Sequence, residues 1–181
     1  MANCYMKKKV LLSFCQRDRS EIDQFIDYYT NSANLFVPYA IGVSGNDDFI
    51  DSTNPEYVMS QIRSKYLKDT TVTIVLVGSC THSRRYVDWE LKTSLRRGSF
   101  TPNGVMGFLL PSQGDKAYLP PRFEDNLSKD NEDCYARYLP YPSSEDKLAE
   151  WVEDAHSARI DRVDLIVNNS EMMKYNVKYV R

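Results

Sequence analysis

The chain is poor in the residues that usually mark a cofactor site. It has only two histidines, His82 and His156, far apart in sequence, and four cysteines, Cys4, Cys15, Cys80 and Cys134, none paired as CxxC. A zinc site needs several such ligands at close spacing, so no metal is expected. The cysteines read as reduced thiols of a cytoplasmic protein. None of the seven glycines belongs to a GxGxxG or GxxxxGK[ST] pattern, which excludes the dinucleotide fingerprint and the P-loop. No stretch approaches the ~20 apolar residues of a membrane span. The VLL that follows MANCYMKKK is far too short for a secretion signal. The sequons Asn126-Leu127-Ser128 and Asn168-Asn169-Ser170 therefore carry little meaning. A net charge of −2 gives no field that would draw nucleic acid.

What is present is an ordinary globular composition, 42% hydrophobic and 27% charged, in 181 residues. That length fits one domain, 1–181, with its core at about 7–160 and a C-terminal helix and tail at 161–181. Lys9 to Phe14, KVLLSF, reads as a strand buried on both faces. A helix follows, with Ile22, Phe25, Ile26 and Tyr29 at helical spacing and Ser20 as N-cap. NLFVPYAIGVS reads as a second strand, with Pro38 marking an edge. A polar loop from Ser44 ends at Asn54-Pro55, an N-cap and first helical residue, and Val58, Ile62 and Tyr66 face that helix inward. VTIVLVG, 72–78, is the clearest central strand. The helix RRYVDWELKTSLRR comes next, with Gly98 as C-cap, and GVMGFLLP is the fourth strand. The loop from Ser112 to about Asp133 has no reading. CYARYLPY is a weaker fifth strand, and SSEDKLAEWVEDA opens a last helix. Strands alternating with helices predict an α/β fold of flavodoxin type: five mostly parallel strands in the order 2-1-3-4-5, helices on both faces.

In such a fold ligands bind beyond the carboxyl ends of the strands, in the crevice between strands one and three. Cys15 to Arg19, Ser44 to Asn54 and Ser79 to Glu90 should meet there. In the stretch SCTHSRRYVDWE, Val87, Leu91 and Leu95 face the sheet, while Tyr86 and Glu90 share a stripe beside them. By spacing, Glu90 sits at the border of core and solvent near the positive end of the helix. From spacing alone it reads first as a solvated helix acid paired with Arg84, Arg97 or Lys92, since most helix acids are of that kind. No acid ends the third strand, which disfavours a response regulator.

These residues carry a resemblance. KVLLSFCQRD and DTTVTIVLVGSCTHSRRYVDWELKTSL resemble the TIR-like domain of Thoeris antiphage-defence proteins. The matching elements are Ser13-Phe14, Val77-Gly78-Ser79, Thr81, Arg84-Arg85-Tyr86-Val87 and Trp89-Glu90, within about residues 7–111. The resemblance implies an enzyme that cleaves NAD at the nicotinamide–ribose bond and makes a cyclic ADP-ribose isomer. NAD is then substrate, and no cofactor is needed. It makes Glu90 the catalytic carboxylate and Tyr86 an aromatic wall in a place where many TIR domains have Trp. It also implies an effector protein activated by the product, a phage-derived trigger and a homo-oligomer that completes the site.

Around Glu90, Phe14 and Cys15 line the floor, or Phe14 is simply core. Asn46, Asp47 and Asp48 reach a ribose, or form a solvated loop. Ser79 bonds the ribose or amide, or caps the next helix. Arg17 and Arg19 meet the pyrophosphate, or stay solvated. Trp89 projects roughly opposite the core face and suits packing or self-association. Cys15 has no nearby histidine to make it a nucleophile. A catalytically silent TIR-like module and a nucleoside deoxyribosyltransferase-like enzyme are the rival readings.

Overall fold

The computed structural model describes residues 7–41, 50, 52–116, 118–128 and 133–178. Five strands form one sheet: β1 (Lys9–Ser13), β2 (Val37–Tyr39), β3 (Val72–Val77), β4 (Gly104–Leu109) and β5 (Arg137–Leu139). Their order is β2-β1-β3-β4-β5, and every neighbouring pair is parallel. The expected strand order is therefore found. Five helices connect and cover them: α1 (Arg19–Ile26), α2 (Pro55–Ile62), α3 (Arg85–Ser94), α4 (Pro121–Glu124) and α5 (Glu145–Asp161). Among the described residues no helix is long and apolar enough to cross a membrane.

Strand periodicity sorts the core. Side chains alternate faces along a strand, so Val10 and Leu12 of β1 join Ile74 and Leu76 of β3 on one face. There they pack against Ile22 and Phe25 of α1 and Leu148 and Val152 of α5. Leu11 takes the other face, where it meets Val58 and Ile62 of α2 and Trp89 of α3. Val75 and Val77 share that side with Val87 and Leu91. Ser13, two residues after Leu11, must then also point toward α3. The close packing shows at Gly104, where an added Cβ would lie 1.6 Å from the Ala155 carbonyl oxygen of α5.

Several boundaries differ from expectation for local reasons. Helix α1 begins at Arg19, not after Ser20, because a 3-10 turn at Gln16–Asp18 already winds the chain. Helix α3 stops at Ser94 rather than running to Arg97. The amide of Asn103 bonds the Ser94 carbonyl, turning the chain toward β4, and Gly98 serves that turn with φ +131° instead of capping the helix. Strand β2 is three residues long, with Pro38 inside an edge strand, where a missing N–H is tolerated. Asn54 caps α2 as expected, its side chain accepting from the Tyr57 amide at 3.1 Å, a bond that typically contributes about 1 kcal/mol.

Candidate functional site

Ser13 and Glu90 are 77 positions apart, yet Ser13 Oγ donates a 2.5 Å hydrogen bond to Glu90 Oε2. The strand register places Ser13 at the carboxyl end of β1, opposite Val75 of β3. Helix α3 lays Glu90 over it, one turn past Tyr86. The expectation of Glu90 at the solvent border, or paired with a surface cation, is corrected. It is 4% exposed, and no cation pairs with it among the described residues. The three cations proposed as partners are engaged elsewhere. Lys92 Nζ donates to the carbonyls of Asn168 and Ser170. Arg97 donates to the Ile166 carbonyl and Arg84 to Cys80 Sγ.

Burial without a counter-charge disfavours the carboxylate form. The Glu90 pKa is pushed from 4.5 up to about 8 by desolvation, with the Ser13 hydrogen bond pulling the other way. At neutral pH the group is thus mostly a neutral acid in this closed form. It is also close to the point at which a neighbouring positive charge would ionise it.

Two loops close over this end of the sheet. The loop after β1 supplies Phe14, Cys15 and Asp18, and the loop after β3 supplies Ser79 and Cys80. Phe14 is half-buried and packs on the α1–α5 core, so its core reading holds in this structure. Cys15 and Cys80 are buried and joined by a disulfide. This corrects the expectation of reduced thiols: parallel neighbours β1 and β3 deliver the residues just past their ends to the same place. Cys15, Asp18 and Cys80 have ligand atoms within 4.8 Å of one another. With the sulfurs joined, neither offers the thiolate that a metal requires.

Asp18 is the residue that motif reading missed. Its carboxylate accepts from the Ser79 amide at 3.1 Å and the Ser79 hydroxyl at 2.9 Å. It lies so close to Gly78 that a Cβ there would come within 2.0 Å of it. Ser79 is therefore held by Asp18 and does not cap α3. The signal available in sequence was the conjunction of an acid after β1 with Gly-Ser at the end of β3.

Tyr86 is half-buried and lies edge-on to Trp89, ring centroids 5.0 Å apart. The expectation that Trp89 points away from the core is corrected. It is 3% exposed, packs with Leu11 and α2, and its indole N–H donates to the Met173 carbonyl at 2.7 Å. Helical spacing gave the direction, but α2 and the C-terminal tail cover that direction. Arg17 is exposed, and Arg19 pairs with Asp23 on its own helix. Asn46, Asp47 and Asp48 lie outside the described residues. The loop from Ser112 contributes a bond from the Ser112 hydroxyl to Glu21 at 2.6 Å and places Tyr118 5.3 Å from the His82 ring.

A cavity of about 530 Å³ lies elsewhere, between α2, α3 and the tail. Its walls include Trp89, Met59 and Met172 but not Glu90. What marks Glu90 is its chemistry, a buried carboxyl at the strand ends.

No curated protein matches the chain. The family model of the Thoeris protein ThsB, TIR-like domain, matches residues 11–115, which include the end of β1, all of β3 and α3, and Glu90. That match spans more than half of the chain, and the five-stranded parallel sheet has the expected order. The chain belongs to the Thoeris ThsB TIR-like domain family, which ties it to antiphage defence.

Proposed function

We propose that this domain cleaves NAD at the nicotinamide–ribose bond, with Glu90 as the catalytic carboxylate, and makes a cyclic ADP-ribose-type signal that activates an effector protein. The observation that carries this reading is Glu90 itself: a buried carboxyl at the strand ends with no cation beside it among the described residues. Such burial costs stability and serves no structural pairing, which is the pattern of a tuned catalytic acid or base.

The chemistry needs little else. The C1′–N bond breaks with its electron pair leaving on nicotinamide, which departs neutral, so no general acid is needed. The ribose becomes oxocarbenium-like, and a carboxylate beside it stabilises that charge and holds the ribose hydroxyls. The approaching cationic nicotinamide ring favours ionisation of Glu90, so the substrate generates its own catalyst form. Water as acceptor gives ADP-ribose; a ring nitrogen or hydroxyl of the same molecule gives a cyclic product.

A silent TIR-like module acting by self-association or partner binding is the second reading. One observation favours it: Glu90 is only 4% exposed, so this closed form leaves little of its carboxyl open to a substrate. On the enzyme reading this closed form is the resting state, opened by a phage-derived trigger or by assembly. Mass spectrometry of NAD incubated with wild type and Glu90→Gln, purified and in lysate of infected cells, tests the choice. Nicotinamide and an ADP-ribose product from wild type alone support the enzyme. No turnover by either protein, even in infected lysate, leaves the binding module.

A further inference from the structure

A second cavity lies at the other end of α3, away from Glu90. It encloses about 510 Å³ between the turn that ends α2 and the loop that follows α3. Its walls include Arg63, Lys68, Arg96, Arg97 and Phe100 and no carboxylate among the described residues. That imbalance is unusual in a chain of net charge −2.

The cations are differently compensated. Arg96 reaches Glu56 at 3.0 Å and Arg97 reaches Asp164 at 3.7 Å, but both acids are largely exposed, at 71% and 96% of their side chains. Such pairs contribute little and exchange easily with other anions. Arg63 and Lys68 have no carboxylate partner among the described residues. The Arg63 guanidinium instead lies over Phe100, 4.0 Å from the ring centroid. Burial, with Arg96 and Arg159 near it, pushes the Arg63 pKa below its ordinary value. Phe100 is 57% exposed although it is the largest apolar group of its loop.

Four cations along one cavity, offset only by two exposed acids and, for Arg97, the Ile166 carbonyl, favour clustered negative charge, and guanidinium forks match phosphate oxygens. The volume is that of a small-molecule site. We propose that this cavity binds a small polyphosphorylated anion, with Arg63, Lys68, Arg96 and Arg97 holding the phosphates and Phe100 offering a ring on which an aromatic base can stack. The inference does not rest on the activity assigned to Glu90.

Isothermal titration of the full chain at low salt tests it, with inorganic tripolyphosphate and ATP as separate probes and adenosine as a phosphate-free control. Tripolyphosphate should bind wild type and Glu90→Gln alike, and adenosine should not bind. Arg63→Glu with Lys68→Glu should weaken tripolyphosphate at least tenfold; Arg97→Glu alone, a milder surface change, should weaken it severalfold. Circular dichroism confirms that each variant is folded. If Phe100→Ala weakens ATP but not tripolyphosphate, the site takes nucleotides; if it weakens neither, the phosphates alone are recognised. Absence of tripolyphosphate binding to wild type, or equal binding by the charge-reversed double variant, overturns the proposal.

Discussion

Two buried acids sit two residues apart on α3 and behave oppositely. Asp88 and Glu90 are 5% and 4% exposed. Asp88 is fully partnered. Its Oδ1 accepts from Arg122 Nε at 2.8 Å and its Oδ2 from the Met173 amide at 2.8 Å. Arg122, itself 2% exposed, spends its other donors on Asn168, Ser170 and Glu171. That side of α3 is a clasp that ties the C-terminal tail to the domain. Glu90, on the sheet side, has among the described residues one hydroxyl and no opposite charge. A buried charge that is matched on every side holds a structure together, whereas one left unmatched is costly and reactive. The same helix carries both because its period of 3.6 residues turns positions two apart to different neighbours.

The comparison can be broken from either side. On the enzyme reading, Glu90→Gln should lower NAD cleavage by roughly a thousandfold or more, since it removes the charge that meets the transition state. Asp88→Asn should leave the Glu90 chemistry largely in place. The check is nicotinamide release by both variants under activating conditions.

For stability the order reverses. Asp88→Ala strands the Arg122 charge and should cost about 3–5 kcal/mol, a fall in Tm of roughly 10 °C for a domain of this size. The tail should loosen with it, seen as a red shift of Trp89 emission as the bond to Met173 is lost. Glu90→Gln should keep the fold.

The disulfide gives a comparable figure by a different route. Cys15 and Cys80 are 65 positions apart, and closing so long a loop stabilises by up to about 4 kcal/mol. Cys15→Ala with Cys80→Ala should show that loss in urea unfolding, and a reductant should then have no further effect. An unchanged midpoint would mean that packing, not the bond, holds the two loops together.

The pH dependence sharpens the contrast further. The Glu90 pKa is raised in the folded state, from 4.5 to about 8. The folded state therefore keeps a proton that the unfolded chain releases, and the resulting stability is full below pH 4.5 and is lost as pH rises to about 8. Wild type should lose a few kcal/mol relative to Glu90→Gln across that window, measured as the difference of their unfolding free energies at pH 5 and pH 8. A constant difference would mean that Glu90 is not titrating as a buried acid.

The smallest effect is expected from Ser13→Ala. It removes the hydrogen bond that lowers the Glu90 pKa, so the rising limb of a pH–rate profile should move up by less than about one unit.

The elements were largely legible from local pattern. The apolar run 72–77 is wholly buried, Asn54-Pro55 opens α2, and Val87, Leu91 and Leu95 face the sheet. The site was legible in part. The strand-end motifs pointed to Glu90 and to the two loops, but Asp18 was passed over and Trp89 was turned outward. Asp18 has no motif of its own; its role appears only when Gly78 and Ser79 arrive beside it.

Sequence by itself therefore determined the alternation of strands and helices, the strand order that alternation favours, and which acid matches the family pattern. These are properties of periods and short stretches. Tertiary structure alone decided that Glu90 is buried against Ser13, that Cys15 meets Cys80, and that Arg122 and the tail close over Asp88 and Trp89. Each of those contacts joins residues tens of positions apart, brought together by parallel crossovers that return the chain to the same sheet edge. Helical period names the side on which a residue lies. What covers that side, and so whether its charge is solvated, paired or stranded, is set by elements elsewhere in the chain.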